Sequence, residues 1–217
     1  PHLRKILNTD AGFERTGLLL FDLRPGESGH KGDKLVQFCL DLERRLKELP
    51  GVTAVGIASV RPMMGGGWYS NLDPPGGQKP INTAANSISA GYLDALGLKL
   101  LAGRGFTPQD IGVNSTAALV TENVAKQLGG SALGMKVKFG DKDVEIVGIV
   151  SDAHYGRLTD EGTTTFVAQS FAEDSFTVLL RTNVPPGQLI SAASGVVAEL
   201  DKDLPLVNPR SMEVQIG

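Results

Sequence analysis

The chain has 217 residues, 21 basic and 24 acidic side chains, a formal charge of −3, and 41% hydrophobic residues. That is enough for one large domain or two small ones with a real core, and the slightly acidic balance excludes the basic face of a nucleic-acid binder. Gly (27) and Pro (12) stay below the share of ~25–30% that marks low-complexity chains. Cys39 has no internal disulfide partner, the three scattered histidines build no His-rich metal site, and no apolar run reaches the ~18–20 residues of a membrane span. The chain opens at Pro1-His2-Leu3-Arg4 with neither a methionine nor a signal peptide, which reads as a piece of a longer protein.

In chain order, the apolar run 17–23 closes on Arg24-Pro25-Gly26 and predicts a strand and a turn. Leu35, Phe38, Cys39, Leu42, Leu46 and Leu49 recur with the helical period until Pro50-Gly51 stops them. Residues 52–58 predict a second strand. The end of the chain repeats this plan: a strand over 176–181, a helix start at Pro185-Pro186, the stripe Leu189, Ala193, Val196 and Leu200, and a last strand after Pro205. Two such βαβ units side by side make a four-stranded sheet with two helices on one face, an α+β split-βαβ (ferredoxin-like) lobe built from 1–60 and 172–217.

Residues 61–171 form the expected insertion, mainly β. Residues 61–80, rich in Gly and Pro, read as a long loop or a hairpin. Ser89 is placed to cap a short helix carrying Tyr92, Leu93 and Leu96, with Gly97 as terminator. A strand is expected over 117–121, a short helix over 122–128, a hairpin of 136–139 with 144–150, and a further strand over 164–169.

Phosphate and dinucleotide chemistry fail on spacing. The Gly129–Lys136 stretch follows a helix instead of opening one, with its lysine misplaced and no Ser or Thr after it. Gly65-Gly66-Gly67 lacks the strand before and the helix after. No catalytic residue, metal site or cofactor is therefore assigned. Asp152, His154 and Tyr155 sit just past a strand, where a carboxylate can orient an imidazole for base work. No G-x-S-x-G elbow accompanies them, and such pairs are common at strand ends. Cys39 falls on an apolar helical stripe and reads as inert filling. Met63, Met64, Trp68 and Tyr69, set among glycines, suit a surface that meets a partner or a greasy solute; the alternative is that they plug the core of the insertion.

Several stretches in fixed order resemble one family. They are Glu48-Leu49-Pro50-Gly51-Val52, the run from Tyr92 to Thr107 with Asp110, Val120-Thr121-Glu122-Asn123, Leu133-Gly134, Val147-Gly148-Ile149-Val150-Ser151-Asp152 and Leu200-Asp201-Lys202-Asp203-Leu204-Pro205. Together they resemble the extracytoplasmic (periplasmic) core domain of MacB-type, FtsX-like ABC transporter permeases. The resemblance implies a domain between two transmembrane helices, on the extracytoplasmic side of the inner membrane, with a porter lobe (1–60 and 172–217) and a sabre lobe (61–171). It implies as partners the rest of the permease, a cytoplasmic ATPase, a second copy in the full-length protein, and an adaptor, lipoprotein or peptide substrate. The domain itself would be non-catalytic, transmitting ATP-driven change or contacting what is exported. The alternative is a free-standing α/β hydrolase or small-solute-binding protein using Asp152 and His154.

Overall fold

The computed structural model describes residues 17–59, 68–112, 114–152, 164–168 and 175–211. The first unit is strand β1 (Leu18–Leu23), helix α1 (Asp33–Lys47) and strand β2 (Val52–Ala58). The insertion supplies β3 (Trp68–Asp73), β4 (Ile81–Ile88), helix α2 (Tyr92–Leu96), β5 (Leu100–Gly103), β6 (Ala117–Thr121), helix α3 (Glu122–Gln127), β7 (Lys136–Phe139), β8 (Lys142–Val150) and β9 (Thr164–Ala168). The second unit is β10 (Phe176–Thr182), helix α4 (Ile190–Leu200) and β11 (Val207–Ser211).

The outer strands lie in the order β11-β1-β10-β2, each antiparallel to its neighbour. The two strands of each βαβ unit are thus separated by one strand of the other unit, which is compatible with the split-βαβ plan. Helix α1 forms because its apolar residues share one face, and its ends suit the helix dipole: Asp33 in the first turn, Arg44, Arg45 and Lys47 in the last. Its buried residues Leu35, Phe38, Cys39, Leu42 and Leu46 meet Leu19, Phe21, Leu23, Val178 and Leu180 of the sheet, with Ala193 and Val197 of α4 in the same core. Arg45 pairs with Glu199 across the two helices, and His30 Nε2 lies 2.9 Å from Asp201 Oδ2 while its ring stacks on Phe38.

The sheet's other face is covered too. Leu18, Leu20, Ala54 and Leu179 pack with Tyr92, Ala95 and Leu96 of α2 and with Leu119 and Phe166 of the insertion. Burial on both faces is why β1 runs apolar from Leu18 to Phe21 without alternation, and its buried Asp22 accepts from the Thr177 hydroxyl at 2.8 Å. Helix α2 rides directly on β2, where a Cβ on Gly56 would stand 2.7 Å from the Tyr92 Cα. Only glycine permits that approach.

The sheet does not end at β2. One pairing, Ala58 with Ile88, carries it into β4. From there the ladders run β4-β3-β7-β8-β6-β9, and β9 returns to pair with β4, so six inserted strands close a ring, with β5 on the side of β8. A third core joins Leu72, Phe139, Val120 and Ile146 of this ring to Val124, Ala125 and Leu128 at α3.

Candidate functional site

Helix α1 and the insertion meet at a joint made of side-chain hydrogen bonds. Glu43, on α1, accepts a hydrogen bond on Oε1 from the Gly91 N–H at 3.0 Å, and the Ser89 hydroxyl donates to the same carboxylate. Ser89 Oγ in turn accepts the Ile57 N–H of β2 at 2.8 Å. Burial pushes the Glu43 carboxyl above its ordinary range, against the Ser89 and Gly91 hydrogen bonds and the charge of Lys47, which pull it down. A second tie lies on the sheet itself, where Arg181 Nε of β10 donates to the Ala95 carbonyl of α2 at 3.1 Å.

Ser89 therefore does not cap α2, as its position suggested. The N-cap is Gly91, and the Ser89 hydroxyl is spent between Glu43 and Ile57. Gly97 does terminate α2, in the left-handed conformation at φ 72°. The Cys39 thiol faces the core one turn from Glu43. Burial, then the Glu43 charge, raises its pKa, and that suits inert packing.

Beside Glu43 a cleft of about 390 Å³ opens between α1 and the segments around Ser89 and Ile111. The second segment is built on Asp110, which accepts from Arg104 Nη1 at 2.7 Å, from the Thr107 N–H at 2.8 Å and from the Thr107 hydroxyl at 3.1 Å.

Trp68 and Tyr69 open β3, paired with Ala85 and Ala84. Strand alternation sends them to opposite faces. Trp68 is 38% exposed and leans on Phe139 with ring centroids 5.9 Å apart, whereas Tyr69 is 63% exposed. Trp68 is thus joined to the third core at its rim, and Tyr69 stands in solvent; the two do not form one flat patch. Met63 and Met64 lie outside the described residues, as do His154 and Tyr155. Asp152 is described, and its Oδ1 accepts the Asn123 N–H in the first turn of α3 at 2.8 Å, a structural task for that carboxylate. Leu100, Leu101 and Leu133 are further exposed large apolar side chains. Among the described residues no group of His, Cys, Asp and Glu is placed to hold a metal ion, and no helix is long and apolar enough to cross a membrane.

The sequence pattern of the MacB-like periplasmic core domain matches residues 12–199. Among solved structures the chain is similar to the periplasmic region of MacB from Actinobacillus actinomycetemcomitans, with 18% identity, a TM-score of 0.59 and 94% of each chain covered. It is similar also to the extracellular domain of the noncanonic ABC-type transporter YknZ from Gram-positive bacteria, with 19% identity, a TM-score of 0.54, and 87% of this chain and 100% of that one covered. No curated protein matches the sequence. The chain belongs to the family of MacB-like periplasmic core domains, and its mixed α+β fold is theirs.

Proposed function

We propose that the chain is the extracytoplasmic domain of an ABC transporter permease that carries conformational change outward from the membrane. In this reading the lobe of 1–60 and 172–217 receives movement from transmembrane helices driven by a cytoplasmic ATPase. The lobe of 61–171 delivers it to a partner or exported substrate, with Tyr69 and the neighbouring Met63 and Met64 as the contact and Trp68 anchoring that edge to the core. The full-length protein works as a homodimer in the inner membrane, and the domain itself performs no catalysis.

The observation that carries the reading is the joint. Glu43 grips Ser89 and Gly91, Arg181 grips Ala95, and α2 is wedged between β2 and the inserted strands β6 and β9. Partly buried polar ties of this kind stiffen a junction, so displacement of one lobe moves the other. Tyr69, well exposed on β3, is an available contact point beyond that junction.

The test uses the full-length permease with its ATPase and the substitution Tyr69→Cys; Cys39, being buried, does not compete for label. A membrane-impermeant maleimide added to intact cells should label the new cysteine, and spin labels on two copies should report a distance that changes on ATP addition. Labelling only after the inner membrane is breached, or a distance indifferent to ATP, defeats the proposal.

A further inference from the structure

The cleft beside Glu43 lies apart from the β3 surface and does not depend on the permease reading. The apolar part of its wall is Leu40 from α1, Ala90 from the turn before α2, and Pro108 and Ile111 from the segment that Asp110 organises. Its volume of about 390 Å³ falls within the ~300–1,000 Å³ typical of small-molecule sites.

Glu43 shares these walls with Gln37, Asp41, Arg44, Lys47 and Ser89. Its carboxylate receives the Gly91 N–H and the Ser89 hydroxyl. A carboxylate offers about four acceptor positions, so two donors leave it room for another. The neighbouring charges are largely engaged with one another: Arg44 lies 3.6 Å from Asp41 and 3.7 Å from Glu48, and Gln37 donates to Asp41 at 3.1 Å. Lys47, one turn along α1, is the weakest of the influences on Glu43, and burial is the strongest. Glu43 is thus a carboxylate under-compensated for its desolvation, and a cation brought into the cleft relieves that cost.

We propose that this cleft binds a small amphipathic amine, with the ammonium on the Glu43 carboxylate and the hydrocarbon body against Leu40, Ala90 and Ile111. An anionic ligand of the same shape meets the Glu43 charge. A neutral alcohol gains only an ordinary hydrogen bond.

The experiment titrates the 217-residue chain with pentylamine, pentanol and pentanoate, followed by amide chemical shifts. Pentylamine should perturb the amides of Ser89 and Gly91 and bind about tenfold tighter than pentanol, the ratio expected when a charge-assisted hydrogen bond replaces a neutral one. Pentanoate should not compete. Glu43→Gln keeps an acceptor for Gly91 and should erase the preference for amine over alcohol. A second measurement needs no variant: an ammonium on Glu43 favours its ionised form. Calorimetry on the unaltered chain, in acidic buffers of differing ionisation enthalpy, should therefore show proton release on pentylamine binding. Equal affinity for amine and alcohol, perturbations elsewhere on the chain, absence of binding, or absence of proton release each overturns the proposal.

Discussion

The Glu43 carboxylate and the Gly91 N–H meet at 3.0 Å although 48 positions separate them in the chain. This contact joins a helix of the first βαβ unit to the opening of α2, and Ser89 extends it to the backbone of β2 through Ile57. The position of the insertion on the sheet is therefore written in buried polar geometry as well as in apolar packing.

Glu43 gives the fold a pH dependence of definite sign. Its folded-state pKa is raised, chiefly by burial, so the folded chain keeps a proton over a range where the unfolded chain has lost it. Stability from this group is greatest below the ordinary carboxylate pKa and declines as pH rises through the raised value. Glu43→Gln removes that decline, and the variant should gain on the parent as pH climbs through the window. Other carboxylates titrate identically in both chains, so the difference between their melting curves over a pH series isolates Glu43. Parallel curves would show that the carboxyl is not shifted.

Two glycines should respond to alanine in opposite directions. At Gly91 an added Cβ would fall 2.0 Å from the Val55 carbonyl oxygen and 2.8 Å from Glu43 Oε1, and backbone cannot step aside as a flexible side chain can. Gly91→Ala should cost about 1–3 kcal/mol, in the range of overpacked core sites. Gly195, on the exposed side of α4, has nothing within 4 Å of its would-be Cβ. Gly195→Ala should stabilise by up to about 1 kcal/mol through helix propensity alone. Urea unfolding of both variants reads the contrast directly.

The outer strands and both long helices were legible because each carries a strong local signal. Leu35 through Leu46 keep the helical period, and β1 and β10 are apolar runs bounded by turns. Strand β4 was not legible, because Ile81–Ile88 is rich in Asn, Thr and Ser and resembles a loop. Two of its polar side chains are buried and bonded outside the strand: Thr83 to Thr165 at 2.9 Å, and Asn86 to Ser59 at 3.2 Å and to the Tyr92 hydroxyl. No local pattern reveals such pairings. Strand β5 hid for the reverse reason, since Leu100 and Leu101 look like core and are exposed on a short strand that pairs with β8. At the joint, Ser89 carried a helix-cap signal that pointed to the right residue and the wrong partner. Glu43 carried none, because a lone acidic residue between Leu42 and Arg44 reads as a solvated helix position.

Cys39 should be silent toward thiol reagents until the chain unfolds. It is 2% exposed, and burial together with the nearby Glu43 charge holds the thiol protonated well above its ordinary pKa. Reaction with a chromogenic disulfide reagent is expected to be negligible in native buffer and stoichiometric in denaturant. Prompt labelling of the native chain would place Cys39 outside the core between α1 and the sheet.

Asp110 yields the acid-side counterpart of the Glu43 effect. Burial alone would raise its carboxyl; the Arg104 guanidinium and the Thr107 N–H and hydroxyl outweigh that and hold it below the ordinary range. Its stabilising contribution is present above the ordinary aspartate pKa and is lost as pH falls through the lowered one. Asp110→Ala removes the cap on the turn Pro108–Asp110 together with the partner of Arg104, and should cost about 1 kcal/mol near neutrality. That cost should shrink in acid, because the parent loses the same interactions by protonation. Since the segment also forms one wall of the Glu43 cleft, Asp110→Ala should weaken pentylamine binding without abolishing the preference for amine over alcohol, which belongs to Glu43. Loss of that preference in the Asp110 variant would move the charge recognition from α1 to the loop.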